Sequence, residues 1–169
     1  MMPGIVGKGD LMKIEEAFKQ IEIFYQSIRS MHPELSFEKV KTFETPFKKW
    51  FREEAPAPGY SRKSGIYIFS NIKKEVLYIG KAASDNFGAE IYGKFSAASE
   101  VDNEDIPYFG NSSMAKWAPE KYQEVFRAGD VYISALNVTP KDFVSLFEVY
   151  LHVWFSLNGG LPPLNKRIG

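Results

Sequence analysis

The stretch SGIYIFSNIKKEVLYIGKA, residues 64–82, sets two β-branched and aromatic runs, 66–69 and 76–79, around the polar Asn71, Ile72, Lys73 and Lys74. Short apolar runs bounded by a polar turn signal a β-hairpin. With a loop at 71–74, Ser70 stands opposite Glu75 and Tyr67 opposite Tyr78. Directly opposed residues of an antiparallel pair project to one face, so the two phenols are expected side by side. A one-residue slip sends them to opposite faces, which makes the expectation depend on register. Gly65 and Gly80 fall at the same end of the hairpin, where a missing side chain admits another backbone or a ligand. Paired tyrosines on neighbouring strands most often pack, so the hairpin alone assigns no function.

Before the hairpin, Ala55-Pro56-Ala57-Pro58-Gly59 is rich in turn formers. It sets the expected internal boundary, between an N-terminal helical region at 1–59 docked on the core and a main domain at 60–169. Leu11, Ile14, Ala17, Ile21, Phe24 and Ile28 recur at three or four residues, which predicts a helix over 10–31, capped by Asp10 and ended by Pro33. Ser36 is expected to cap a second helical segment carrying Phe37, Val40 and Phe43. Phe47, Trp50 and Phe51 follow beside Lys48, Lys49 and Arg52, a mixture of rings and charge that suits nucleic acid but equally suits docking as extra core, the reading preferred here. After the hairpin, the pattern predicts a helix over 89–98, a loop over 102–115, a short helix over 119–126 and a third strand over 131–136. Thr139 and Pro140 are expected to open a long helix as N-cap and first residue, with Asp142 in its first turn and Gly159-Gly160 as its stop. The fold class is α/β of the α+β kind: a small three-stranded antiparallel or mixed sheet flanked by helices, preceded by an N-terminal helical extension.

At 169 residues, 44% apolar and 25% charged, the chain has the composition of an ordinary soluble domain with a real core. No apolar run reaches membrane-spanning length, and Lys8, Asp10 and Lys13 interrupt the place of a secretory apolar segment. The absence of cysteine removes disulfide frameworks and thiolate metal sites. A cytoplasmic protein without a membrane partner is expected. Formal net charge is zero, which argues against a whole-surface nucleic-acid binder. Locally, Lys39, Lys41, Lys48, Lys49, Arg52, Arg62 and Lys63 outweigh Glu44, Glu53 and Glu54, a basic stretch that either meets phosphates or is a solvated helix face. Glu100, Asp102, Glu104 and Asp105 form an acidic patch.

In the last long helix the polar residues Ser145, Glu148, His152 and Ser156 recur at three, four and four, one narrow stripe on an apolar cylinder. Glu148 sits among Phe147, Val149 and Leu151, so it either faces water or lines a cleft. In a cleft, its carboxylate is a hard oxygen ligand suited to Mg²⁺ or Mn²⁺. His152 reads as a member of the stripe rather than as a second ligand.

Together these pieces resemble the GIY-YIG nuclease family, named for the triplets Gly65-Ile66-Tyr67 and Tyr78-Ile79-Gly80. The resemblance spans about 64–169 and leaves the N-terminal region outside it. Tyr78-Ile79-Gly80-Lys81-Ala82 is similar to the form in the excision-repair nuclease subunit. Asn86-Phe87-Gly88-Ala89-Glu90-Ile91 is similar to the family's Asn-Leu-Gly-x-Arg-Ile/Leu helix opening, and Pro163-Leu164-Asn165 to its closing Pro-x-Asn element. The resemblance implies hydrolysis of a DNA phosphodiester with one divalent cation, Mg²⁺ or Mn²⁺, held by Glu148, where the ion neutralises charge on the scissile phosphate. It implies that Tyr67 or Tyr78 activates or positions the attacking water. A free phenol titrates near pH ~10, so a base role needs a cation beside it, and Lys81 is the expected source. Asn165, with Gly65 and Gly80, is expected to brace the site.

One position departs from the family pattern. The arginine that grips the phosphate in the family is replaced by Glu90, and no arginine lies between Arg62 and Arg127. A guanidinium offers two parallel donors and a positive charge, whereas a carboxylate repels the substrate. Lys94 shares a helix face with Glu90 and is expected as a substitute phosphate ligand, without the bidentate fork. Three readings follow: a nuclease in which Lys94 or Lys81 replaces the arginine, a domain that keeps the fold but binds DNA or protein without cutting, and a structural domain whose tyrosines only pack.

Overall fold

The hairpin forms, but its turn is longer than the sequence predicts. In the computed structural model, which describes residues 10–98, 100, 101 and 104–168, Asn71 ties the turn together. Its N–H donates to the Glu75 carbonyl at 3.1 Å, and its side-chain oxygen accepts from the N–H groups of Lys73 and Glu75 at 3.0 Å each. Lys74 adopts a left-handed φ of 61°, a local cost that the Asn71 bonds offset. Strands β2 (Gly65–Ser70) and β3 (Val76–Ala82) first pair at Ser70 opposite Val76, and Leu77 is then inserted as a bulge. Tyr67 therefore faces Gly80, and Tyr78 faces Phe69, which corrects the expected Tyr67–Tyr78 pairing. The turn and the bulge each add one residue. Their sum is even, so both tyrosines keep one face, with ring centroids 6.1 Å apart.

The sheet has four strands rather than the expected three, in the order β1 (Ser36–Val40), β6 (Tyr132–Thr139), β2, β3, all antiparallel. The segment opened by Ser36 is thus a strand, not a helix. Phe37 and Val40 have helical spacing, but the free edge of β6 offers backbone partners, with Phe37 opposite Val138 and Val40 opposite Ala135. Leaving that edge unpaired is the costlier alternative. The same pairing carries β6 on to Thr139, opposite Ser36, so Thr139 ends a strand instead of capping a helix. A single 3₁₀ turn, Lys141–Phe143, then leads into α5 (Val144–Asn158), which stops at Gly159 with φ 151°.

Helix α1 (Ile14–Ile28) is shorter at both ends than predicted, and Asp10 does not cap it. Lys13 stands at the cap position without a side-chain capping bond, because the chain there is bridged to Glu75 and the Ile14 N–H donates to the Lys74 carbonyl. The remaining elements are α2 (Phe87–Phe95), the two-residue strands β4 (Glu100–Val101) and β5 (Pro107–Tyr108), α3 (Ser113–Trp117) and α4 (Glu120–Arg127). Part of the expected loop at 102–115 is therefore regular. Lys8 and Asp102 lie outside the described residues. Among the described residues, no helix is long and apolar enough to cross a membrane.

Alternation along the strands divides two cores. Tyr67, Phe69, Ile133 and Ala135 pack with Phe87, Ile91 and Phe95 of α2. Phe47 and Trp50 enter the same cluster, Phe47 stacking on Phe95 at 3.9 Å, and Ala55 and Ala57 of the turn-rich link are buried there too. Ile66, Ile68, Ile79, Leu136 and Val138 face the other way, onto Ala17 and Ile21 of α1 and Phe147, Leu151 and Phe155 of α5. Every residue of β2 is buried.

Gly80 is held by the Tyr67 ring. A Cβ at Gly80 would stand 2.5 Å from Tyr67 Cζ and 2.6 Å from its hydroxyl oxygen. Gly80→Ala is expected to destabilise the fold by about 1–3 kcal/mol through overpacking, read as a lower urea midpoint with unchanged slope. A second expectation concerns His152, 2% exposed on α5. Burial, opposed in part by the Glu148 charge, holds its pKa below the ordinary 6.5. The unfolded chain therefore binds a proton that the folded chain refuses, and stability declines as pH falls below about 6.5. His152→Gln removes that component, so the drop in urea midpoint between about pH 7.5 and about pH 5.5 should be smaller than in the parent.

Candidate functional site

Strand β3 carries the expected site, and its alternation splits that site in two. Tyr67, Tyr78 and Gly80 face α2, whereas Lys81, opposite Ile66, faces α5. On the α2 side, Tyr67 is 1% exposed and Tyr78 is half-buried. Lys94 Nζ lies 5.6 Å from the centre of the Tyr78 ring. Glu90, in the first turn of α2, accepts a hydrogen bond from the Asn86 side chain at 3.1 Å. The Tyr67 phenol is held far above its usual range, first by burial, then by Tyr78, the Glu90 charge and the Glu148 charge. At neutral pH it is a neutral donor, not a phenolate.

On the α5 side, Glu148 is 6% exposed and its Oε2 lies 2.7 Å from Lys81 Nζ. That contact is an ion pair at hydrogen-bond distance, and among the described residues no donor besides Lys81 reaches this buried oxygen. His152 follows one turn later, its Nε2 3.4 Å from the Ile79 carbonyl oxygen. The polar stripe of α5 thus divides: Glu148 and His152 turn inward, while Ser145 and Ser156 remain in water. Lys81, expected beside a phenol, instead neutralises Glu148, because strand parity sends it to the opposite face from Tyr78. The halves still communicate electrostatically, since the Glu148 charge is among those that raise Tyr67.

The C-terminal segment seals the outer edge of β3. Asn165 donates from Nδ2 to the Ile79 carbonyl and accepts the Ile79 N–H at Oδ1, both at 2.8 Å, and the Leu164 N–H donates to the Leu77 carbonyl at 3.0 Å. A side-chain amide here takes the place of a neighbouring strand, between Tyr78 and Gly80. Gly65 serves packing of another kind: a Cβ there would meet the Leu136 carbonyl oxygen at 1.8 Å and the Phe87 ring at 2.6 Å.

A divalent ion at Glu148 would find one protein carboxylate. Among the described residues, no group of three acids or histidines is placed to hold a metal. The Glu148 oxygen, bonded by no group but the Lys81 ammonium among the described residues, fits a hard cation that keeps several waters and binds substrate phosphate, the habit of Mg²⁺. Such an ion competes with Lys81 for the same oxygen.

The sequence reading missed the network that fixes the loop between β3 and α2. Ser64 Oγ donates to Asp85 at 2.8 Å, the Asp85 N–H donates back to Ser64 Oγ at 2.8 Å, and Lys141 Nζ donates to Asp85 at 2.7 Å. The run Ser84-Asp85-Asn86 ahead of a helix was the available signal. The basic stretch at 39–63 is not one helix face. Lys39 lies over the Phe18 ring, Lys48 pairs with Asp130 and Arg52 with Asp105. A groove of about 510 Å³ between Phe18, Lys39, Phe43, Asn71 and Tyr132 shares none of the expected site residues.

Compared with family models, curated proteins and solved structures, the chain matches none of them. The likeness to GIY-YIG nucleases rests on the chain's own motifs.

Proposed function

We propose that this protein hydrolyses DNA phosphodiester bonds beside the Lys81–Glu148 pair, aided by one divalent cation, Mg²⁺ or Mn²⁺, as the GIY-YIG likeness implies. The supporting observation is Glu148: a buried carboxylate whose Oε2 has, among the described residues, no polar partner but the Lys81 ammonium at 2.7 Å. When bound, the cation supplies positive charge to the scissile phosphate and the departing oxygen. Lys81, released from Glu148, gives its ammonium to a phosphate oxygen. Lys94 adds a second cation beside Tyr78. Tyr67, a neutral phenol, orients water or phosphate by donating a hydrogen bond. The chemistry is slow, because Glu90 puts a carboxylate where the family has its guanidinium, and losing one such donor costs roughly a hundred- to a thousandfold in rate. The absence of cysteine agrees with a cytoplasmic setting.

A second reading, DNA or protein binding without cleavage, is favoured by the Lys81–Glu148 pair. That pair already neutralises the carboxylate and leaves it no need of a metal.

Supercoiled plasmid incubated with Mg²⁺ or Mn²⁺ distinguishes the readings. The parent protein should nick it slowly, and Glu148→Ala should lower the rate by roughly a hundredfold or more, the loss expected when a major charge-stabilising group is removed. No product with either metal at high protein concentration selects the non-cleaving reading. In the same assay, Glu90→Arg should recover part of the missing hundred- to thousandfold (about that of one donor) and tighten DNA binding. A variant that neither cuts faster nor binds tighter shows that Glu90 does not occupy the phosphate-gripping position.

A further inference from the structure

Trp117 ends α3 with 71% of its surface exposed, and Lys166 Nζ lies 4.9 Å from the centre of its ring. A lone exposed apolar side chain needs no explanation by itself. What sets this one apart is how it is held. The hydroxyls of Ser112 and Ser113 donate to the Lys94 carbonyl at 2.8 and 3.2 Å, and Ser113 also donates to that of Gly93 at 3.0 Å. Ser112 then caps α3 by accepting the Ala115 N–H at 3.2 Å, and Met114 and Ala115 are buried in the Tyr67 core. The indole is thus hung from the last turn of α2, the helix that carries Glu90 and Lys94. Its lysine is fixed independently, since Lys166 follows Asn165, whose amide is clamped to Ile79 between Tyr78 and Gly80.

We infer that Trp117 with Lys166 is a stacking platform for an unpaired DNA base, which leads the strand toward Tyr78 and Lys94. This deepens the proposed function and rests on it. An exposed indole offers a flat π-surface to any base, and an ammonium at its face takes the adjoining phosphate. Lys116 and Arg167, next in sequence to Trp117 and Lys166 and both exposed, add positive charge. A base inside a duplex is already stacked on its neighbours, so the platform selects single-stranded or splayed DNA.

The test measures fluorescence anisotropy of a labelled oligothymidylate and of a blunt duplex of equal length, with parent, Trp117→Ala, Trp117→Phe and Lys166→Ala. The parent should prefer the single strand. Trp117→Ala should weaken that binding roughly five- to a hundredfold, the range for loss of one stacked base, with little change on duplex, and Trp117→Phe should retain most of it. The salt slope should stay unchanged in Trp117→Ala and fall by about 0.7 in Lys166→Ala. Unfolding midpoints of the variants, expected to match the parent, separate lost stacking from lost structure. Single-strand binding by Trp117→Ala equal to the parent's overturns the platform while leaving DNA binding intact. A parent that binds neither DNA overturns the proposed function together with the platform. Self-association of the parent that Trp117→Ala abolishes, without any effect on DNA, assigns the ring to a protein interface and overturns the inference.

Discussion

The Tyr67 ring lying on Gly80 is the contact on which the rest of the structure depends. It exists only because the turn at Asn71 and the bulge at Leu77 together move the hairpin by two residues, which puts Gly80 where Tyr78 would otherwise stand. With β2 held by β6, an odd shift would turn Tyr78 and Gly80 of the edge strand out of the α2 core and send Ile79 and Lys81 into it, spoiling both clusters. With the shift of two, a glycine falls opposite the largest side chain of β2, and the ring fills the space that a Cβ would take. The two triplets of the hairpin are therefore a packing device first. Whatever chemistry they support is built on that interlock.

The same alternation explains why the charged residues pair as they do. Odd positions of β3 beyond the bulge face α5, so Lys81 meets Glu148 instead of a phenol. Isolating the Glu148 carboxylate among Phe147, Leu151 and Phe155 without a counter-charge would cost several kcal/mol, of the order of the desolvation penalty for a single buried ion. Lys81 is partly exposed and loses less hydration in pairing, which is what makes the pair tolerable. Asn165 completes the arrangement by occupying the outward-facing groups of Ile79, so that the edge of β3 is closed at the one residue between Tyr78 and Gly80.

Much of this was legible in the sequence, and what was not has physical reasons. The hairpin, the later helices, the third strand and the stop at Gly159 follow from local pattern. The shared face of Tyr67 and Tyr78 followed as well, although through a register that was wrong by two, because a bulge leaves no signal in an apolar run. The strand at Ser36–Val40 was hidden because its apolar residues carry helical spacing, and the decisive factor is a partner edge nearly a hundred residues away. The place of Glu148 on an inward-facing stripe was readable. Its pairing with Lys81 was not, since that depends on which face of β3 α5 covers. Trp117 gave no periodic signal at all, and its placement comes from two serine hydroxyls.

Charge at the candidate site gives the proposed function its internal logic. Glu90 and Glu148 stand against Lys81 and Lys94, two charges of each sign around β3. A phosphodiester adds one negative charge to a balanced cluster and so gains little from it alone. A divalent ion alone meets a carboxylate already satisfied by Lys81. In the proposed function Glu148 would hold the ion and Lys81 would be left for the phosphate, so that protein and ion together would carry a net positive charge of one. Each ligand would thus supply what the other needs, and on the proposed function their binding would be reciprocally coupled. An arginine in place of Glu90 would leave the cluster positive without any ion, and DNA would then bind independently of metal. On the proposed function, the carboxylate at position 90 would weaken the site and, by the same electrostatics, would make its hold on DNA conditional on the cation.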